Sequence, residues 1–136
     1  MLDNELDNDV LSHFHLFWDN FPAPVMLVHK NRTILGRNSA AEAMGCVVGT
    51  RCIDRGTKEM HKDCLANHAL REKAGKRLVT FVEQMGMVMD SYWIPLAGND
   101  DVFVHFGIDI TEYADKDKFP GNCQNTSDCS SSCSCK

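Results

Sequence analysis

The chain has 136 residues, 43% hydrophobic and 24% charged, with a formal net charge of −5 and a pI near 5.6. That length fits one domain able to bury its own core, and the acidic balance, with Lys and Arg scattered rather than massed, argues against nucleic-acid binding. No apolar run approaches the length of a membrane span, and Asp3, Glu5, Asp7 and Asp9 are the reverse of a signal peptide's positive start, so a cytoplasmic protein without membrane attachment is expected.

In a reducing compartment the seven cysteines are not expected to form a disulfide framework, and their odd number weakens that reading further. Metal ligation, redox chemistry or plain burial must account for them.

Residues 1–9 read as a flexible acidic leader. An amphipathic helix is predicted over residues 10–20, with Asn8 or Asp9 as N-cap and Val10, Leu11, Phe14, Phe17, Trp18 and Phe21 along one stripe. The stripe must cover either the domain's own sheet or a second subunit. A first strand over residues 21–28, a turn at Asn31-Arg32 and a second strand over residues 33–38 follow. Asn38 or Ser39 can then cap a short helix that Gly45 ends in a left-handed conformation.

Residues 46–76 are broken by Gly49 and Gly56 before a helix predicted over residues 58–73 and stopped by Gly75. Strands over residues 77–83 and 88–96 surround a turn at residues 84–87. The polar cluster Gly98-Asn99-Asp100-Asp101 reads as a hairpin turn into a closing strand that begins at Val102. Alternation puts Phe103, His105 and Gly107 on one face of that strand and Val102, Val104 and Phe106 on the other, without saying which face meets the helices. After residue 114 the composition becomes charged, then Ser-, Asn- and Cys-rich, as in a disordered tail over residues 115–136.

The ending Gly107-Ile108-Asp109-Ile110-Thr111-Glu112 resembles the signature that closes PAS domains. The order upstream, with Phe21-Pro22-Ala23-Pro24-Val25-Met26-Leu27-Val28, the Asn31-Arg32 turn, residues 33–38 and the short helix ending at Gly45, is similar to the same family. The resemblance implies an α+β fold over residues 21–114: a five-stranded antiparallel sheet with helices on one face, plus the N-terminal helix. It also implies a non-catalytic sensory module and a homodimer formed through that leading helix.

The chemistry-bearing residues concentrate in Cys46, Cys52, His61, Cys64 and His68. On a continuous helix, His61, Cys64 and His68 stand at i, i+3 and i+7 and project from one face. Three thiolates and one imidazole from Cys46, Cys52, His61 and Cys64 would complete a tetrahedral zinc site. Some bacterial PAS domains that this stretch resembles carry Cys-x2-Cys here, but His61 holds the first position of that pair, which suits an iron–sulfur cluster less. The alternative is that Cys64 and Leu65 are core wall with both histidines at its rim. Haem, held by His61 or His68 as in the haem-binding relatives, is a further reading.

Flavin photochemistry is not supported: the residues expected around Cys52 and a Gln on the closing strand are missing. His68, Tyr92, Trp93 and His105 are candidates to line a ligand pocket, with core filling as the default for each. Cys123, Cys129, Cys133 and Cys135 match no zinc module. No catalytic constellation and no kinase or output domain is recognisable, so a signalling protein partner is expected. The alternative function is a ligand-free dimerisation or docking module.

Overall fold

A computed structural model describes residues 8–119; the tail cysteines and most of the acidic leader lie outside them. The element order is α1 (Asn8–Trp18), β1 (Val25–His29), β2 (Ile34–Arg37), α2 (Ser39–Ala43), α3 (Ala66–Glu72), β3 (Lys76–Val82), β4 (Met87–Leu96) and β5 (Asn99–Asp109). Short 3-10 turns stand at Cys52–Asp54, Lys58–His61 and Thr111–Tyr113. The strands form one sheet in the order β2-β1-β5-β4-β3. β1 pairs antiparallel with both β2 and β5, so the first and last strands of the chain lie side by side.

Contacts divide the described chain into two compact units. The larger comprises residues up to Arg77 together with Tyr92–Gly107, and the smaller comprises Leu78–Ser91 with the segment from Ile108 onward.

In the larger unit, the pairs Val25↔Phe106, Leu27↔Val104 and His29↔Val102 share one face of the sheet, because directly opposed residues project to the same side. On that face Trp18 and Phe21 pack on Phe106 with ring centroids 5.4 Å away, and Phe14 is buried at 4% exposure. Gly36 leaves room for this helix: a Cβ there would lie 3.0 Å from Leu11 Cδ1 and 3.4 Å from Phe14 Cδ2. Met26, Val28, Phe103 and His105 occupy the opposite face, where Met26 packs against a cluster of Ile34, Ala41 and Cys46. The alternation that left the two faces of β5 equivalent is thus resolved: α1 covers one and the α2 region the other.

Between them sits Asn38, 1% exposed. It caps α2 as expected, accepting from the Ala41 amide at 3.0 Å, and also accepts from the Val25 amide at 2.9 Å. Its Nδ2 donates to the carbonyls of Trp18, Phe21 and Ala23. One side chain therefore joins the end of α1, the start of β1 and the start of α2. Gly45, at φ +86, ends that helix in the left-handed region as its position suggests.

In the smaller unit the β3–β4 hairpin turns at Gly86, φ +65, whose amide donates to the Val82 carbonyl at 2.9 Å. Val88, fully buried, exchanges two bonds with the end of the domain: its amide donates to Thr111 Oγ1 at 2.9 Å and its carbonyl accepts from the Ile110 amide at 2.9 Å. Thr111 in turn donates to Asp109 Oδ1 at 2.5 Å, so the Asp-Ile-Thr sequence locks the closing strand.

Several expectations need correction. α1 starts by Asn8, which therefore lies inside the helix, and Phe17 is 75% exposed beside Leu16 at 74%, off the covered stripe. β1 begins only at Val25, since Pro22 and Pro24 cannot donate to a ladder. The β4–β5 turn is the tighter Ala97-Gly98 pair, with Gly98 at φ +80, so residues 99–101 already belong to β5.

The helix predicted over residues 58–73 is two separate pieces, Lys58–His61 and Ala66–Glu72. Its favourable formers are outweighed by tertiary bonds: the His61 imidazole Nε2 donates to the Arg55 carbonyl at 2.5 Å, folding the first turn back on the loop before it. α3 then buries Ala66 and Ala69, and Lys73 at φ +53 ends it, two residues before Gly75.

Candidate functional site

The segment carrying the cysteines is fastened to the exposed edge of the sheet. β2 is an edge strand, and residues 49–52 satisfy its free backbone groups: Ile34 N donates to Thr50 O at 2.8 Å, Gly49 N to Ile34 O at 2.9 Å and Cys52 N to Arg32 O at 2.9 Å. Thr33 and Arg51 add an isolated antiparallel bridge. Covering an edge in this way prevents it from pairing with another chain, and it also makes the backbone around Cys52 a continuation of the sheet.

Cys46 is 2% exposed in the Ile34–Ala41 cluster, and Cys52 packs half-buried against the same cluster. Both are free thiols, as is Cys64. Burial first, and then the nearby Cys64 because two thiolates would repel, push the Cys52 thiol up to about 11. Burial likewise raises Cys46, opposed by the Arg55 and Arg37 guanidinium groups.

On β4 and β5, Trp93 and His105 stack with centroids 5.0 Å apart and planes 13° apart. The His105 Nδ1–H donates to the Tyr92 carbonyl at 2.8 Å, which fixes the ring and its tautomer. Burial holds its pKa below the ordinary value, and the nearby His61 and Arg32 depress it further against the raising effect of the Tyr92 bond. Arg32 also lies over the Phe103 ring, 5.7 Å from its centroid.

The structure brings Cys46 and Cys52 into one cluster with Cys64 near Cys52, and it stacks Trp93 on His105. Of the remaining candidates, His61 lies near enough to His105 to act on its charge, whereas His68 and Tyr92 lie apart. His61 is engaged with the Arg55 carbonyl, and His68 is exposed on α3 with Nδ1 bonded to Arg71 at 2.9 Å. Tyr92 stacks on Phe106, centroids 4.9 Å apart, on the α1 face: adjacent strand residues point to opposite sides, so Tyr92 and Trp93 cannot line one pocket.

Of Cys46, Cys52, His61 and Cys64, the imidazole Nε2 is committed to the Arg55 carbonyl, so His61 would have to give up that bond to join the three thiols around zinc or an iron–sulfur cluster. Among the described residues no three His, Cys, Asp or Glu side chains stand together to hold a metal ion. A cavity of about 140 Å³ lies elsewhere, between Leu70, Pro95, Leu96 and Asn99 beside the Lys73–Asp100 ion pair. It is smaller than the roughly 300 Å³ at which ordinary cofactor pockets begin.

Sequence reasoning missed His29, 3% exposed, which accepts from the Asn31 amide at 3.2 Å while its Nε2 has no partner among the described residues. Its alternation with Val25 and Leu27 was the available signal.

No family model matches the chain, and no curated protein matches it. Solved structures do. The PAS domain of Bordetella pertussis BvgS aligns with a TM-score of 0.63 at 24% identity, over 78% of this chain and 90% of that one. A domain of an HTR-like protein from Haloarcula marismortui gives 0.54 at 23% identity, over 65% and 98%. A sensory box sensor histidine kinase from Vibrio cholerae gives 0.52 at 16% identity, over 75% and 87%. At these identities the likeness concerns the fold, and it agrees with the antiparallel strand order and the closing Asp109-Ile110-Thr111 lock: the chain has the fold of a PAS domain.

Proposed function

We propose that the chain is a non-catalytic sensory module of a cytoplasmic signalling system, binding a small ligand or a redox-active or metal cofactor in the segment around Cys46, Cys52 and Cys64. The observation that carries this reading is the backbone clasp between residues 49–52 and β2. Any ligand that displaces Cys52 must strain or break the bonds to Ile34 and Arg32, and β2 passes that change to β1 and α1 through Gly36. His61 would have to leave the Arg55 carbonyl to join a metal, so a metal-bearing state would differ from this one in the 55–64 loop. The BvgS and Vibrio cholerae structures, a PAS domain and a sensor histidine kinase, support a signalling role by analogy of fold.

The test is elemental analysis and a visible spectrum of protein purified without added metal, repeated for Cys52→Ser. Stoichiometric metal or an absorption band that the substitution removes supports sensing. Metal-free, colourless protein that takes up neither zinc nor iron and sulfide, and whose denatured extract carries no small molecule by mass spectrometry, refutes it. That result would favour the second reading, a ligand-free dimerisation or docking unit, which the exposed Leu16 and Phe17 on α1 support as a homodimer contact.

A further inference from the structure

We infer that the turn after α2 and the loop that follows it form the docking surface for a partner-protein segment that is acidic and carries large apolar side chains. This deepens the sensory reading by naming its output face, and it rests on different observations.

Met44, Val47 and Val48 are 58%, 52% and 48% exposed within five consecutive residues. Exposed apolar side chains scattered singly are ordinary, but three on one turn form a patch that water solvates poorly. Guanidinium groups grip the same turn from two sides. Arg37 Nη1 donates to the Cys46 carbonyl, and Arg55 Nη2 donates to the Met44 carbonyl at 3.5 Å. These two cations are also the ones that act on the Cys46 thiol, which places both charges at the turn. Glu42 is the acidic side chain bonded to Arg37, at 3.2 Å.

The local balance reverses that of the whole chain. Seven of its 14 Lys and Arg lie in residues 30–62, against three of its 19 Asp and Glu, although the net charge is −5. Two of these seven, Arg37 and Arg55, are the ones that bond the turn itself. Arginine forks pair with carboxylates in a bidentate way, and the apolar trio supplies the desolvated centre that a salt-bridged rim needs. Residues 30–62 contain no Phe, Tyr or Trp on which bases could stack, which favours an acidic peptide over single-stranded nucleic acid. Cys46 lies directly beneath this turn, so an event at the thiols would reshape the surface a partner reads.

The test titrates the 15N-labelled full chain with a short synthetic peptide in which pairs of Glu alternate with Leu. Amide shifts confined to residues 44–55, weakening as salt is raised, are expected. Arg55→Glu and Val47→Ser should each weaken binding by about tenfold or more, while Arg71→Glu on α3, the same charge change elsewhere, stays within about twofold. The inference is overturned if these amides do not move at millimolar peptide or if Arg55→Glu binds as well as the parent. It is equally overturned if a Lys-for-Glu peptide, an oligothymidylate or phosphatidylserine vesicles shift the same amides as strongly. The titration needs no cofactor, so this inference and the sensory reading can fail independently.

Discussion

Replacing Asn38 tests whether one buried amide holds three elements together or merely caps a five-residue helix. Asn38→Ala removes two accepted bonds, from Val25 N at 2.9 Å and Ala41 N at 3.0 Å, and three donated ones, to Trp18 O, Phe21 O and Ala23 O at 3.1, 3.2 and 2.9 Å. Loss of an N-cap alone costs about 1 kcal/mol. Five bonds at about 1 kcal/mol each, with some of the orphaned groups rescued by water, give about 3–5 kcal/mol. That is a large fraction of the roughly 5–15 kcal/mol that stabilises a typical domain. Asn38→Asp separates the two accounts, since Asp caps helices as well as Asn but cannot donate to three carbonyls. Urea unfolding followed by Trp fluorescence should show the Asp variant losing at least half of what the Ala variant loses. An Asp variant as stable as the parent would refute the three-way junction and leave only a cap.

Gly36→Ala should cost about 1–2 kcal/mol and raise hydrogen exchange selectively in α1, because the new methyl meets Leu11 at 3.0 Å and the helix must move outward; unchanged exchange there would contradict the packing. The Asp109 carboxyl is held below its ordinary value of 3.8 by hydrogen bonds from the Thr111 hydroxyl and amide, so its contribution is present above that pH and lost as pH falls through the depressed value; acid unfolding of Thr111→Val should be less steep in this window. His105, pushed below 6.5 by burial, contributes stability that is full above that pH and lost as pH falls toward its depressed value. Imidazole NMR should show a midpoint below the ordinary one, and His105→Gln should flatten the acid limb of stability. With its thiol pushed up to about 11, Cys52 should alkylate roughly a hundredfold more slowly at neutral pH than an ordinary thiol, as read by peptide mapping; a rate like that of free cysteine would show the site to be open.

Local chemistry made much of this legible beforehand. Asn38 three residues before Ala41 announces a cap, Gly45 announces a left-handed stop, and the β-branched and aromatic runs announce five strands, because each signal acts through its own neighbours. The candidate site was readable only in part. Cys46 and Cys52 do share a cluster, yet the helix meant to align His61, Cys64 and His68 breaks after His61, whose ring bonds the Arg55 carbonyl.

By itself, the amino-acid order determined where strands, caps and turns occur, since these depend on residues a few positions apart. The tertiary structure alone decided which face of β5 meets α1 and which meets the cysteines, and that β2's edge is closed by residues 49–52. Those outcomes depend on β1 pairing with β5, strands separated by most of the chain, and a period-two pattern is identical whichever side is covered.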